Sequence, residues 1–150
     1  MTDNIVVVGH WELSWNTPIK EAELWNLPLR DFGVKDWWMW PVTGIVHNER
    51  EVTLHERPNI QTILKENSDK TRVFVEPRGH FELDSIDLPE FEHPDNAMYI
   101  FGSAHFNPTI GNKEVDDLAV TIPTLGNAGV LWPHQCLVAL MYDRMVKSWQ

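Results

Sequence analysis

The chain has 150 residues, 43% of them apolar, with a net charge of −10 and a single cysteine, Cys136. That length suits one domain over residues 1–150 with a sizeable core, and the composition excludes a disordered chain. No apolar run approaches the ~20 residues of a membrane helix, the charge disfavours unspecific binding to nucleic acid or anionic membranes, and one cysteine builds neither a disulfide framework nor a thiolate zinc site.

The opening stretch MTDNIVVVGHWE has an acid at position 3 and no basic segment. It reads as a strand and not a leader, so the expected location is the cytoplasm. Ile5–Val8 is a short continuous apolar run, as in a strand buried on both faces. Thr17, Pro18, Glu21 and Glu23 then give helix-start chemistry, and Pro28 is expected to limit that helix. Asp36–Trp40 is predicted as a strand closed by Pro41. Residues 42–57 read as loop with a short strand at Val52–Leu54, and Pro58–Glu66 as a helix opened by Pro58. Arg72–Val75 is a further strand. Residues 80–96, acidic and proline-containing, read as loop with one helical turn. Ala97–Phe101 and Leu118–Ile122 complete the strands, the latter preceded by a solvated turn at Asp116-Asp117. Pro133–Trp149 is an amphipathic helix with Leu137, Leu140, Met141 and Met145 on one stripe, and Gln135, Asp143, Arg144 and Lys147 on the polar side. Short apolar strands alternating with helices predict an α/β fold: a mostly parallel sheet of about five or six strands with helices on both faces.

Most chemical signatures are missing. The glycines stand singly, so there is no phosphate loop or dinucleotide fingerprint. The seven histidines show no ligand spacing, and no metal is expected. Eight tryptophans, four of them Trp25, Trp37, Trp38 and Trp40, suit packing better than a stacking platform for a base or sugar. Three strand ends remain: Val75 to Gly79, Ile100 to Ser103, and Ile122 to Gly129. In open parallel sheets, ligands bind at the carboxyl ends of strands. Gly79, Gly102, Gly126 and Gly129 serve either plain turns or close backbone approach to a ligand.

At these residues the sequence resembles the SPOUT methyltransferases, in particular the small tRNA and rRNA ribose 2′-O-methyltransferases. The resemblance runs through Tyr99-Ile100-Phe101-Gly102-Ser103, Val120-Thr121-Ile122-Pro123, and the run through Leu131 into the Val138–Tyr142 helix. Asn16-Thr17, Phe32-Gly33-Val34 before Trp38-Met39-Trp40-Pro41, and Arg72-Val73-Phe74-Val75 to Gly79 extend it over nearly the whole chain. It implies a C-terminal trefoil knot, a homodimer and S-adenosylmethionine (AdoMet) as cofactor. The implied cofactor contacts are Val75, Gly79, Gly102, Ile122, Val130 and Leu131, and the implied substrate is tRNA or rRNA. Asn16 and Arg30 are the acceptor-side candidates.

The sequence also departs from the family. Ser103-Ala104-His105 stands where the family carries a Glu after Phe-Gly, and Trp132 stands where it carries an Asn. The Arg of the family's first helix is replaced by Lys20, Glu21 and Glu23, with Arg30, Arg78 or His105 as candidate substitutes. A side chain as large as Trp132 could plug the pocket. The alternative is therefore an inactive SPOUT-like homodimer that binds a partner, with or without AdoMet, through an aromatic patch for which Trp11, Trp15 and Trp25 are candidates. A sugar or nucleoside binder using the tryptophans is a third reading.

Overall fold

The computed structural model describes residues 4–13, 16–48, 50–76, 85–103, 106–125 and 131–150. In chain order the elements are β1 (Val6–His10), α1 (Pro18–Asp31), β2 (Asp36–Trp40), β3 (Thr53–Glu56), α2 (Ile60–Glu66), β4 (Thr71–Glu76), β5 (Ser85–Asp87), a single 3-10 turn (Leu88–Glu90), β6 (Ala97–Phe101), β7 (Leu118–Thr121) and α3 (Pro133–Ser148). The strands form one sheet in the order β3-β2-β1-β6-β4-β7-β5, and every neighbouring pair is parallel.

The sheet has seven strands where five or six were expected. The addition is β5, whose Ser85-Ile86-Asp87 pairs with Ala119 to Thr121 at the sheet edge. Three residues between an acidic stretch and Pro89 carry no apolar periodicity, so this strand exists through its ladder bonds. The 3-10 turn after it is the helical turn expected within residues 80–96.

Side chains alternate across the sheet, as the pleat requires. Val7, Trp37, Met39, Val73, Tyr99, Phe101 and Val120 pack under α1 and α3 with Trp25, Leu29, Leu137, Leu140 and Met141. Val6, Val8, Trp38, Trp40, Phe74, Met98 and Ile100 pack under α2 with Ile60, Ile63 and Leu64. Helices thus cover both faces, which is why the central strands read as continuous apolar runs. Trp25 and Trp37 are buried and stacked at 6.1 Å. A buried aromatic hides roughly 150–250 Å², about 4–6 kcal/mol of gross transfer free energy at ~25 cal/mol/Å². Gly9 lets this layer close: a Cβ there would lie 2.8 Å from Trp25 Cη2 and 2.9 Å from Met39 Sδ.

Helix ends differ from expectation in three places. α1 continues past Pro28 to Asp31. Proline removes only one helical bond there, and the last turn is held by Phe32 N–H to Pro28 O (2.9 Å) and Val34 N–H to Leu29 O (2.8 Å). Thr17 occupies the N-cap of α1, but its hydroxyl makes no cap bond. α2 is opened by Asn59, not Pro58; its Oδ1 accepts from Thr62 N–H at 2.9 Å.

Candidate functional site

Sheet order decides which loops meet. β1, β6, β4 and β7 are consecutive, so His10, Gly102, Glu76 and Ile122 end up in a row along the carboxyl edge. Val75 pairs with both Phe101 and Val120, and Glu76 with Thr121, so these ends are level. Strands lie ~4.8 Å apart, which puts Gly102 and Ile122 roughly 10 Å from each other with β4 between them. Of the six implied cofactor residues, Val75, Gly102 and Ile122 therefore share one edge. Leu131 lies just before α3, and Gly79 and Val130 lie outside the described residues, as do Arg78, His105 and Trp15.

Gly102 is used by the chain itself. A Cβ there would overlap the Phe106 carbonyl oxygen and lie 2.8 Å from Pro108 Cδ. The backbone returns through an antiparallel bridge between Ser103 and Phe106, with Ser103 N–H to Phe106 O at 2.9 Å. This return seats residues 106–109 against the end of β6. Two buried groups there, Asn107 Nδ2 and Thr109 Oγ1, have no hydrogen-bond partner among the described residues. A buried orphan donor costs roughly 1–3 kcal/mol, so two at one strand end suit a bound polar molecule. Glu76, also buried, accepts from Thr121 Oγ1 through its main-chain oxygen at 3.0 Å.

Beside this row stands a polar trio. His10 Nδ1 is 2.8 Å from Ser103 Oγ, and Ser103 Oγ donates to Glu12 Oε1 at 2.5 Å. The imidazole stacks on Phe106 (4.8 Å, 19°) and tilts against Trp40 (5.1 Å, 58°). Sequence reasoning passed over His10 and Glu12, because 91 residues separate Glu12 from Ser103 and only the β1–β6 pairing joins them.

The acceptor-side candidates do not meet within one chain. Asn16 is exposed just before α1, and Arg30 sits in its last turn beside Asp31 at 3.7 Å. A helix rises 1.5 Å per residue, which separates the two by roughly 20 Å. Trp132 is 52% exposed and fills no buried site; its main-chain N–H donates to Gln135 Oε1 at 2.8 Å at the start of α3. The proposed aromatic docking patch is also corrected: Trp11 and Trp25 are buried core residues. Trp37, Trp38 and Trp40 are buried as well, with Trp38 capped by His55 (4.3 Å) and Arg57 (4.8 Å). Apolar contact across the sheet claims these rings.

A second polar cluster lies at the amino end of the sheet. His93 Nε2–H donates to Asp143 Oδ2 at 2.7 Å, and Tyr99 O–H donates to His93 Nδ1 at 2.7 Å. Arg144 donates to Tyr99 Oη (2.8 Å), Pro94 O (2.7 Å) and Asp95 O (3.3 Å). Lys147 donates to Leu88 O (2.7 Å) and Phe91 O (2.8 Å) and pairs with Asp143 (2.8 Å). Burial holds the His93 imidazole below its ordinary range and pushes the Tyr99 phenol up to about 12. Arg144 was expected on the polar side of α3 and is buried instead, since three acceptors satisfy its guanidinium. The cluster bolts α3 to the sheet, far from the carboxyl edge.

Between α1 and α3 runs an open groove of about 390 Å³ lined by Leu24, Leu27, Pro28, His134, Gln135 and Val138. Burial lowers the His134 imidazole and pushes the nearby Cys136 thiol up to about 11. Among the described residues no helix is long and apolar enough to cross a membrane, and no cluster of His, Cys, Asp or Glu is placed to hold a metal.

This parallel sheet with its helices is similar in fold to solved SpoU/TrmH methyltransferases. No protein-family model matches the sequence, and no curated protein matches it. The likeness is in the backbone. The SpoU methyltransferase AviRb from Streptomyces viridochromogenes, solved with AdoMet, superposes with a TM-score of 0.77 at 13% identity, over 99% of this chain and 62% of that one. The A. aeolicus TrmH/SpoU tRNA modifying enzyme gives 0.71 at 15%, over 97% and 76%. A structure describing 2-OH methylation of C/U34 on tRNA gives 0.69 at 11%, over 97% of both chains. The chain spans 62% of AviRb and 60% of a TrmH-family protein from Porphyromonas gingivalis.

Proposed function

We propose that this chain is an AdoMet-dependent methyltransferase acting on an RNA ribose 2′-hydroxyl, working as a homodimer with its C-terminal segment threaded as a trefoil knot. The observation that carries the reading is the carboxyl edge. Val75, Gly102 and Ile122 stand at neighbouring strand ends there, and in the segment that folds back on Gly102, Asn107 Nδ2 and Thr109 Oγ1 are unpartnered among the described residues. AdoMet would supply an electrophilic methyl group. The residues around it would grip adenine, ribose and amino-acid groups mainly through backbone N–H and C=O, and Gly79, Val130 and Leu131 would complete the contacts. Such a pocket depends on backbone geometry, so it tolerates the low identity to its structural neighbours. Protein-side catalysis is then alignment of donor and acceptor plus removal of the hydroxyl proton. Asn16, exposed before α1, is the acceptor-side contact. Arg30, in the last turn of α1, is the second acceptor-side candidate.

The groove between α1 and α3 supports the dimer. Leu24, Leu27, Val138 and Tyr142 on these helices, with Leu131 and Trp132 just before α3, are exposed apolar groups, a composition that suits a second copy. With a net charge of −10, RNA would be held by few, specific contacts, and binding would depend only weakly on salt.

The test is calorimetric titration with AdoMet and with S-adenosylhomocysteine. Micromolar binding, about −8 kcal/mol, supports the reading; no heat at millimolar ligand contradicts it. Ser103 in place of the family's Glu favours one second reading, an inactive homodimer that binds a partner. AdoMet binding with no methyl transfer to tRNA or rRNA would select it.

A further inference from the structure

We infer that the hydrogen-bonded chain Tyr99–His93–Asp143 is a pH-operated latch: near neutral pH it pins the last turns of α3 and residues 88–95 to the sheet, and acidification loosens the two together. The latch does not depend on what the carboxyl edge binds.

Donor and acceptor counting fixes the state of the ring. Asp143, a carboxylate, only accepts, so its 2.7 Å bond to His93 uses a proton on Nε2. A guanidinium only donates, so Arg144 Nη1 fills one acceptor site of Tyr99 Oη at 2.8 Å. The 2.7 Å bond between Tyr99 Oη and His93 Nδ1 then carries the phenol's one proton to the lone pair of a neutral ring. Both ring nitrogens are in use in that form. A second proton on the ring must go to Nδ1 and evict the phenol proton. Tyr99 is 0% exposed, so no water accepts what is evicted, and a buried donor without an acceptor is costly. His93 therefore charges as this packing opens, and not within it.

The groups around the ring come from three places. From α3, Asp143 favours the imidazolium, while Arg144 and Lys147 oppose it. From β6, Tyr99 presents its proton, and on the connecting segment Glu90, Glu92 and Asp95 are exposed. Burial is the largest influence and works against the charge: the His93 side chain is 5% exposed, with Phe91 set edge-on to it at 5.1 Å. The same cluster holds the two segments to each other. Asp143 Oδ2 meets both His93 Nε2 and Lys147 Nζ, Lys147 reaches Leu88 O and Phe91 O, and Arg144 reaches Pro94 O and Asp95 O. Residues 88–95 contain one 3-10 turn and no strand, so these side chains of α3 are their main polar ties. Local opening of such a segment is a step separate from global unfolding. The open form takes up the proton first as pH falls below the ordinary value of ~6.5, so the latch is fully set above that pH and is lost toward the lowered folded value.

Hydrogen–deuterium exchange of the full chain between pH 7.5 and pH 5, corrected for the intrinsic pH dependence of exchange, is the test. Protection of residues 88–95 and 143–148 should fall together below pH ~6.5, by up to about tenfold per pH unit, while β1 and β2 stay protected. His93→Gln keeps one donor for Asp143 and one acceptor for Tyr99 but does not titrate, so it should abolish the pH dependence. Constant protection of the two segments, an equal fall in β1 and β2, or a wild-type slope in His93→Gln overturns the inference. Long-range ¹H–¹⁵N spectra of the wild type keep it falsifiable should that variant fail to fold. They should show His93 neutral and protonated at Nε2 at pH 7.5, with a midpoint that coincides with the loss of protection. An Nδ1-protonated ring, or a midpoint at or above ~6.5, overturns it.

Discussion

Replacing Arg144 by Met keeps the aliphatic stem of the side chain and removes its guanidinium. That group donates to Tyr99 Oη, Pro94 O and Asp95 O from a nearly buried position on α3. Each buried acceptor left without a donor costs roughly 1–3 kcal/mol. The Tyr99 oxygen is the deeply buried one, and the two carbonyls are part-buried and regain water. Removing a buried charge also recovers some desolvation. The net expectation is a loss of about 3 kcal/mol, or about 6–12 °C in Tm for a chain of this size. Urea denaturation with an unchanged m-value is the assay. The variant carries a second signature. Arg144 helps to hold the His93 imidazole low, so its loss should move the His93 titration upward. A stability change below about 1 kcal/mol would refute the reasoning, because desolvation would then cancel the hydrogen bonds.

Other expectations follow from single contacts. Gly9→Ala places a methyl against Trp25 and Met39 and should cost about 1–2 kcal/mol in urea. Met39→Ala should relieve most of that cost in the double variant, and independent, additive effects would count against the packing argument. His93 is held neutral in the fold, so the unfolded chain protonates first as pH falls below its ordinary value of ~6.5. Its contribution is therefore present above that pH and is lost on acidification toward the lowered folded value. Wild type should lose more stability between pH 7 and pH 5 than His93→Gln, and parallel curves would sink the idea. Val138→Glu puts a charge in the α1–α3 groove and should shift a dimer to monomer by sedimentation, with no shift if that face is not the interface.

Much of the sheet was legible because its strands are buried on both faces. Asp36–Trp40 and Ala97–Phe101 agree with β2 and β6 to the residue, since each is an apolar run bounded by proline, glycine or charge. β5 was not legible, because an edge strand in Ser-Ile-Asp carries no apolar period. The limit placed at Pro28 failed because proline late in a helix removes one bond while later N–H groups still close the turn. Arg144 read as solvent-facing, because its acceptors are the carbonyls of Pro94 and Asp95, which no side-chain pattern reveals. Tryptophans such as Trp11 and Trp25 resemble docking residues by type, and only packing shows them as core. At the candidate site, the glycine-bearing strand ends were visible. The His10–Ser103–Glu12 trio was not, because the β1–β6 register assembles it from residues far apart in sequence.

The central claim is that the carboxyl edge of β6, β4 and β7 holds AdoMet. Amide chemical-shift mapping of the ¹⁵N-labelled chain during AdoMet titration tests it most directly. The largest shifts are expected at Val75, Glu76, Gly102, Ser103, Asn107, Thr109 and Ile122, with Leu24, Leu27 and Val138 in the α1–α3 groove unmoved. Shifts centred on that groove, or none at saturating ligand, would contradict it.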